Sequence, residues 1–519
     1  MKALHFYYQR YLPHVMLFTL AVFLITRITI IFSSGTDIGG IEQNVVYSVQ
    51  TYLYSGKLYT SPSAPPFSIT QYTPLYYYVC SLTASALGTS YDNLYELYRI
   101  GRSWSLVFNL GTAYLMFRIA STILGVPMRN SLFIALLSLA LNLQFNFAMR
   151  SDSLTDLMGI TSLYSFLLYL KSPPDSRTSI ARISVAIFFT ALAVFSKQSG
   201  IQLIIIFVGY SIISRDWKTF FRLILIGSII YYGLFSTFSR FYPSFFDNTI
   251  GGISNGILLL SLLNILRRYI SILMIFPLLF ATSYFIIKNR TLSKGTAAHK
   301  LMALFCIGTF VFATVTALKM GSTAQYYILF VNSSLLFYYS SIQNIIGHKS
   351  TVRCSDIYNR LTICSAVFFC GLMLVNQAYN IKLLKTFDID PAIRMQRRSA
   401  VDVVKYIKND VDYSDKSYVF SNLTVDYTLP SRQSINNAFF KNCLVPQMDI
   451  LEASTGPSKV IGYHNLRQLL QSGKVRYLIE SRPSIRFNIL DDMENIKSKH
   501  FAQVADIDGY MIYKYQLKP

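Results

Sequence analysis

Residues 13–37 read PHVMLFTLAVFLITRITIIFSSGTD, an apolar run that ends in a short polar turn and the acid Asp37. An apolar run of about 20 residues is long enough to cross the hydrocarbon core of a bilayer. The run contains Arg27 and lacks a small-residue cleavage site, so we interpret it as a retained anchor and not as a signal peptide. The stretch therefore predicts a membrane span that leaves Asp37 at the membrane surface.

Similar apolar stretches recur as far as about residue 380 of the 519-residue chain, which is 52% hydrophobic with a mean hydropathy of +0.39. The net charge of +22 raises nucleic acid as a partner. The basic residues lie between the apolar stretches, however, so we predict contact with membrane lipid and not with nucleic acid. We predict about eleven transmembrane helices from their length. They lie near 13–33, 100–122, 131–149, 153–170, 183–196, 200–214, 221–238, 268–287, 301–318, 326–346 and 362–379.

Lysine and arginine are concentrated in alternate loops, beginning with the N-terminal segment that carries Lys2 and Arg10. The positive-inside rule therefore places the N-terminus in the cytoplasm and, with an odd number of helices, the tail outside. We predict residues 1–380 as a transmembrane catalytic domain and residues 381–519 as an extracytoplasmic soluble domain. The predicted location is a bacterial inner (plasma) membrane.

The first outer loop is too long to be a simple connector. Apolar residues at helical spacing from Ile41 to Leu53 predict an amphipathic interfacial helix, and Leu75 to Leu87 predicts a second one after a proline-rich linker. In the tail, helical patterns at 396–409, 464–472 and 487–499 alternate with strand-like runs. The strand-like runs are 417–421, 475–480, 502–506 and 509–515. The predicted fold is a polytopic α-helical membrane protein with a C-terminal soluble α/β domain.

Acidic residues cluster at the outer ends of the predicted spans. Asp37 either caps the following segment or acts as a general base or metal ligand at the membrane surface. Arg150 and Asp152 follow the third span, with Asp156 one helical turn further on. Asp152 could simply cap the fourth span, but charges at a membrane boundary are costly unless they are paired or used. We expect Arg150 or Lys197 to be the partner of Asp156.

Cations and polar aromatic residues recur in the same plane. Lys197-Gln198 interrupts two apolar segments, Arg267-Arg268 enters the eighth span, and Lys319 and Gln325-Tyr326 precede the tenth. For Lys197, a lysine that snorkels to the interface is the default explanation, and a cation that binds phosphate is the alternative. Arg267-Arg268 could serve the same purpose or simply anchor the eighth span. Few charges lie in the middle of the predicted spans, which argues against a transporter or channel.

The order of these features resembles that of the GT-C superfamily of membrane glycosyltransferases. The resemblance is strongest to the branch of protein O-mannosyltransferases and aminoarabinose transferases. It covers roughly residues 10–240 and rests on motifs at the following positions: Asp37, Tyr52 to Tyr59, Tyr72-Thr73-Pro74-Leu75-Tyr76-Tyr77-Tyr78, Arg99 to Ser103, Arg150-Ser151-Asp152 and Ser196-Lys197-Gln198. Gln71-Tyr72-Thr73 departs from the lysine that lipid A transferases carry before the prolines, which weakens an assignment to lipid A modification.

The resemblance implies a polyprenyl-phosphate sugar donor and an extracytoplasmic glycan, lipid or protein acceptor. It implies Asp37 as the base and Asp152 as the second acidic residue of the catalytic site. Asp37 and Asp152 are also candidate ligands of a divalent cation, although no metal-specific spacing supports one. Inversion at the sugar carbon follows from a single base. Lys197, Arg150 and Arg268 are candidates for the donor phosphate, and Glu42, Gln71, Tyr72, Gln198 and Tyr326 for the donor or acceptor site. Glu42 also suits a solvated helix face.

Three other functions remain open from the sequence. A transporter or flippase of lipid-linked glycans would share a lipid-phosphate site but need a path across the bilayer. A polymerase or ligase of lipid-linked chains would use a similar donor. A membrane anchor for an adhesive tail would not need acids at the outer ends of several helices.

Overall fold

The computed structural model of the protein describes most of the chain. The described residues are 2–32, 42–141, 146–173, 176–253, 256–268, 271–319, 321–348, 363–365, 367–376, 378, 391–414, 416–422, 435–436, 438–446, 463–481 and 492–516. They divide into two compact units. One contains residues 1–32, 102–235 and 257–384, and the other contains 33–101, 236–256 and 385–519. We call these the membrane unit and the outer unit, the second name following the orientation predicted from the sequence.

Helices dominate the chain up to residue 376. The helices are α1 (Lys2–Phe32), α2 (Glu42–Ser55), α3 (Leu75–Ala86), α4 (Leu94–Arg118), α5 (Met128–Ala140), α6 (Asp152–Leu170), α7 (Arg177–Ser196), α8 (Gln202–Ile213), α9 (Trp217–Phe241), α10 (Phe245–Thr249), α11 (Leu259–Leu266), α12 (Phe276–Lys288), α13 (Thr291–Lys294), α14 (Ala297–Ala317) and α15 (Ile328–His348). Short 3-10 turns precede α8 and α15.

Six of the helices that the structure describes are long and apolar enough to cross a membrane. They lie within Pro13–Phe32, Leu94–Ile123, Asp152–Leu170, Arg177–Ser196, Trp217–Phe241 and Ala297–Ala317. Shorter apolar helices occupy Met128–Ala140, Gln198–Ile213, Ile272–Lys288 and Ile363–Asn376. The protein is therefore an integral membrane protein, and the total of eleven spans stays a prediction.

The core of the membrane unit is built from side chains that lie between the helices. Phe166 of α6 stacks on Phe207 of α8 with their ring centroids 4.3 Å apart. Gly159 lies against Leu329, whose side chain would stand 3.2 Å from a Cβ at that position. Apolar lipid supplies little drive for helix association, so helices in a membrane depend on close packing with one another. The small and aromatic residues at these positions provide that packing.

One predicted span ends earlier than expected. The apolar pattern predicted a helix over 131–149, but α5 ends at Ala140 and residues 146–150 are irregular. Residues 142–145 lie outside the described part of the chain. Hydropathy showed that residues 131–149 are apolar but could not show that the backbone after Ala140 is not helical. Irregular backbone is tolerated at this depth where other protein groups form its hydrogen bonds.

The outer unit contains a five-stranded mixed sheet with the strand order β2-β1-β3-β5-β4. Its strands are β1 (Tyr418–Asn422), β2 (Cys443–Leu444), β3 (Val475–Ser481), β4 (Phe501–Ile507) and β5 (Tyr510–Tyr515). Strands β1, β2 and β3 are parallel, and β5 runs antiparallel to β3 and β4. The accompanying helices are α16 (Pro391–Lys408), α17 (Tyr463–Gln471) and α18 (Met493–His500). The predicted C-terminal α/β fold is confirmed.

The first outer loop contributes to the hydrophobic core around this sheet. Phe67 and Ile69 are buried in the same cluster as Leu444 and Val475. The backbone N–H of Val445 donates to the Pro66 carbonyl at 2.8 Å. A loop in the N-terminal part of the sequence and the C-terminal tail therefore share one core.

Candidate active site

An irregular segment before α6 is held in place by buried polar side chains. Arg27 Nη1 and Asn109 Nδ2 both donate to the Asn146 carbonyl, at 3.3 Å and 2.9 Å. Ser105 Oγ donates to the Ala148 carbonyl at 2.7 Å. Backbone carbonyls that are buried outside a helix need such donors, because an unpaired buried carbonyl is costly. Residues of α1 and α4 thereby position the segment that leads to Asp152.

Asp152 forms a buried ion triad with two cations. Its Oδ1 lies 2.5 Å from Lys197 Nζ, and its Oδ2 lies 3.2 Å from Arg150 Nε. Asp152 and Lys197 are each 5% exposed and Arg150 is 9% exposed. Asp152 is also the first residue of α6, where the helix dipole favours a negative charge. The structure thus brings together three of the predicted site residues.

Lys197 is positioned by a break between two helices. It leaves α7 in an extended conformation, with φ −158° and ψ 138°, before the turn Gln198–Ile201. The turn packs tightly on α7, since a Cβ on Gly200 would lie 2.4 Å from the Ala193 carbonyl carbon. Lys197 Nζ also lies 4.5 Å from the ring centroid of Tyr326, a cation–π distance. Lys197 therefore contacts two predicted site residues, Asp152 and Tyr326.

Asp156 has a different partner from the one that the sequence suggested. Asn146 Nδ2 donates to Asp156 Oδ2 at 3.3 Å, and Gln325 Nε2 donates to Asn146 Oδ1. Arg150 and Lys197 both form their ion pairs with Asp152. The expectation that one of them would form an ion pair with Asp156 is therefore wrong. Sequence reasoning did not single out Asn146, whose signal was a polar residue inside an apolar stretch.

Three further predicted residues are Asp37, Arg268 and Gln198. Asp37 lies outside the described residues. Arg268 is exposed, two residues beyond the end of α11, and Gln198 is half-buried at the start of its 3-10 turn.

Three predicted site residues that the structure describes belong to the outer unit. Glu42, the first residue of α2, is fully buried, so its interpretation as part of a solvated helix face is wrong. It is buried because α2 is packed on several sides, with Tyr47 against the ring of Phe440. Gln71 is half-buried. Tyr72 is buried, and its backbone N–H donates to Tyr77 Oη at 3.2 Å.

The described residues contain no group of three histidine, cysteine or acidic side chains that could hold a metal ion. Asp152, one of the two predicted ligands, has each of its oxygens in contact with a cationic side chain. A divalent cation would have to displace an ammonium or guanidinium group from it. Asp152 as arranged does not fit a metal ligand.

Comparison with known proteins gives a clear result for the fold. No family model and no curated protein matches the chain. Among solved structures, the chain is similar to ArnT from Cupriavidus metallidurans bound to undecaprenyl phosphate, with a TM-score of 0.58 and 13% identity over 96% of this chain and 97% of ArnT. The chain has the GT-C fold.

Two further structures support the same conclusion. The oligosaccharyltransferase AglB from Archaeoglobus fulgidus, in complex with an inhibitory peptide and a dolichol-phosphate, has a TM-score of 0.55 and 12% identity over 92% of this chain and 70% of AglB. The arabinofuranosyltransferase AftD from Mycobacteria has a TM-score of 0.54 and 14% identity over 96% of this chain and 40% of AftD. These structures confirm the predicted GT-C-like fold of the chain.

Proposed function

We propose that this protein is an inverting glycosyltransferase that transfers a sugar from a polyprenyl-phosphate donor to an extracytoplasmic acceptor. The observation that carries the proposal is a buried Arg150–Asp152–Lys197 triad within a GT-C fold. Two structures with this fold were solved with polyprenyl phosphates, undecaprenyl phosphate in ArnT and dolichol-phosphate in AglB. The acceptor class is a cell-envelope glycan, a glycolipid or a protein.

The proposed reaction is a single displacement at the anomeric carbon. The acceptor oxygen forms a bond to that carbon while the bond between the carbon and the phosphate oxygen breaks. The acceptor proton passes to Asp37, the proposed base, and the electron pair leaves with the polyprenyl phosphate. Phosphate is a good leaving group, so the main demand on the protein is positive charge near the departing oxygen.

We assign Asp152 a positioning role in this reaction. Its carboxylate holds the side chains of Lys197 and Arg150, and the Lys197 ammonium also faces the Tyr326 ring. A cation that is held in advance stabilises developing charge without reorganisation during the reaction. No step in this scheme passes through a metal ion.

We also propose a bacterial inner membrane location with the N-terminus in the cytoplasm. In this arrangement residues 1–380 carry the catalytic part and residues 381–519 lie outside the cytoplasm. The excess of Lys and Arg in the loops on the N-terminal side supports the orientation.

Sugar transfer by the purified full-length protein in nanodiscs tests the proposed function. The protein is incubated with a panel of polyprenyl-phosphate sugars and candidate acceptors, and products are identified by mass spectrometry. We expect transfer from at least one donor with inversion at the anomeric carbon. Transport of intact lipid-linked glycan across the bilayer without cleavage of the sugar–phosphate bond would contradict the proposal and favour a flippase.

The role of Asp37 has its own variant. We expect Asp37→Asn to abolish transfer while leaving membrane insertion unchanged, because an amide cannot accept the hydroxyl proton. Asp92→Asn is the matched control, since Asp92 is an exposed acidic residue of the same predicted outer loop as Asp37. Full activity of Asp37→Asn would refute its assignment as the base.

A further inference from the structure

Lys319 lies on a well-defined turn between α14 and the 3-10 turn before α15. Its backbone N–H donates to the Thr316 carbonyl at 3.0 Å, and its carbonyl accepts from Ser322 N at 3.1 Å. The residue also forms an antiparallel bridge with Ile257, and the neighbouring Leu258 N–H donates to the Leu318 carbonyl at 2.7 Å. These contacts fix the point from which the Lys319 side chain extends.

The side chain of Lys319 is half-buried near another cation. Burial lowers its pKa to about 8, and the charge of Lys197 adds to this effect. Within the described part of the chain, no carboxylate lies within ion-pair distance of Lys319 Nζ. A partly buried cation without a counter-ion is unfavourable, because its lost hydration is not replaced.

The local balance of charge is positive. Among the described residues, three cations, Arg150, Lys197 and Lys319, accompany two acids, Asp152 and Asp156, so one positive charge is left over even when both acids are ionised. Arg150 and Lys197 contact Asp152. Of these three cations, Lys319 is the one that forms an ion pair with neither acid, so an anion bound at Lys319 would offset its charge.

The surface next to Lys319 is apolar. Ile257, its partner in the antiparallel bridge, is 84% exposed, and the following residues Leu258, Leu259 and Leu260 are also exposed. In a protein that crosses a membrane, exposed aliphatic side chains suit contact with hydrocarbon chains. A cation beside such a surface matches a ligand with a phosphate head and an apolar tail.

We propose that Lys319 binds the phosphate group of the polyprenyl-phosphate donor, with the first part of the isoprenoid chain lying along residues 257–260. This inference rests on the proposed function and adds a residue to its donor site. It also changes the assignment made from the sequence, in which Lys197, Arg150 and Arg268 were the phosphate-binding candidates. Lys197 and Arg150 then act mainly through the triad with Asp152.

Binding of undecaprenyl phosphate, without a sugar, tests the inference. Full-length protein in nanodiscs is titrated with undecaprenyl phosphate, undecaprenol and inorganic phosphate for the wild type and for Lys319→Gln, Lys319→Arg and the exposed-lysine control Lys294→Gln. A hydrogen bond between charged groups predicts that Lys319→Gln weakens undecaprenyl phosphate binding by about tenfold to a hundredfold. Lys319→Arg retains most of the affinity, and Lys294→Gln binds as the wild type does.

The other ligands identify what the lysine recognises. Undecaprenol is expected to bind weakly and equally to the wild type and Lys319→Gln, because it lacks the phosphate. Inorganic phosphate that competes as well as the lipid would overturn the placement of the isoprenoid chain. Unchanged undecaprenyl phosphate affinity in Lys319→Gln would overturn the proposal itself.

Thermal unfolding separates binding from a purely structural role. Lys319→Gln removes a cation without a described acid partner, so we expect its melting temperature in the absence of lipid to equal or exceed that of the wild type. A clear fall would indicate that Lys319 stabilises the fold, and would count against a binding role. A wild-type protein that binds undecaprenyl phosphate but transfers no sugar would overturn the proposed function and leave this inference standing.

Discussion

Replacing Asp152 by asparagine isolates the energetic role of the buried triad. At an effective dielectric constant of about 20, the Lys197 ammonium at 2.5 Å and the Arg150 guanidinium at 3.2 Å attract the carboxylate by about 7 and about 5 kcal/mol. These values are upper limits, because the freed cations can turn towards water. Removing one member of a buried ion group typically costs about 3–5 kcal/mol, since the remaining charges lack compensation. We expect Asp152→Asn to lower the free energy of unfolding by this amount.

A double-mutant cycle tests the physical explanation. Lys197→Met removes one of the two cations that Asp152→Asn leaves uncompensated, so the double variant should be more stable than the sum of the single effects by about 1–3 kcal/mol. Unfolding is followed in detergent or nanodiscs by intrinsic fluorescence against denaturant. The control is Glu96→Gln, which removes the partly exposed ion pair between Glu96 and Arg99, whose charged atoms lie 2.8 Å apart. This variant should change the free energy of unfolding by less than about 1 kcal/mol.

Two results would refute the reasoning. One is a loss of less than about 1 kcal/mol in Asp152→Asn, which would mean that Lys197 and Arg150 do not depend on the carboxylate. The other is strict additivity in the double variant, which would mean that the two residues do not interact energetically.

Two predictions concern the outer unit. Phe67→Ala should destabilise it by about 3–5 kcal/mol, because Phe67 is 2% exposed and lies in the core beside Leu444. The control Phe246→Ala changes an exposed residue and should have little effect. Limited proteolysis in denaturant compares the two variants, and equal resistance to the protease would contradict the shared core. For Asp410, burial alone would raise the pKa, but the hydrogen bonds from Lys514, the Asp412 backbone and Tyr477, together with the charge of Lys514, outweigh it and lower the pKa. The Asp410–Lys514 pair therefore stabilises the fold above the unfolded-state pKa of Asp410, which is about 4. This stabilisation is lost as the pH falls through the folded-state pKa. Hydrogen exchange of β5 between about pH 6 and about pH 3 should show a smaller acid-induced loss of protection in Asp410→Asn than in the wild type, and identical losses would contradict the assignment.

Much of the helical framework was readable from local sequence. The apolar runs near 153–170, 221–238 and 301–318 became α6, α9 and α14, and the run from Leu75 became α3. In the tail, the patterns at 417–421 and 475–480 became β1 and β3. These elements were predictable because hydropathy and periodicity are properties of neighbouring residues, and they state which face of a segment must avoid water.

The pairing of charges was only partly predictable. Lys197 and Arg150 were recognised as cations at the outer helix ends, but their common partner, Asp152, lies 45 positions before Lys197. The hydrogen bond from Asn146 to Asp156 had no local signature, and neither did the lack of an ion pair at Lys319 among the described residues. Which charge neutralises which depends on how the helices pack, and a single sequence carries no distance between them.

The sequence by itself determined that this chain enters a membrane and that its charged residues lie at the ends of the spans. It also determined approximately where the helices begin. It did so because burial in hydrocarbon requires long apolar runs whatever the tertiary arrangement. Only the tertiary structure decided that α5 stops at Ala140, that Glu42 is buried, and that Phe67 joins the core of the C-terminal sheet. Each of these results depends on contacts between segments far apart in the chain, and such contacts determine which polar groups are satisfied and which apolar groups are covered.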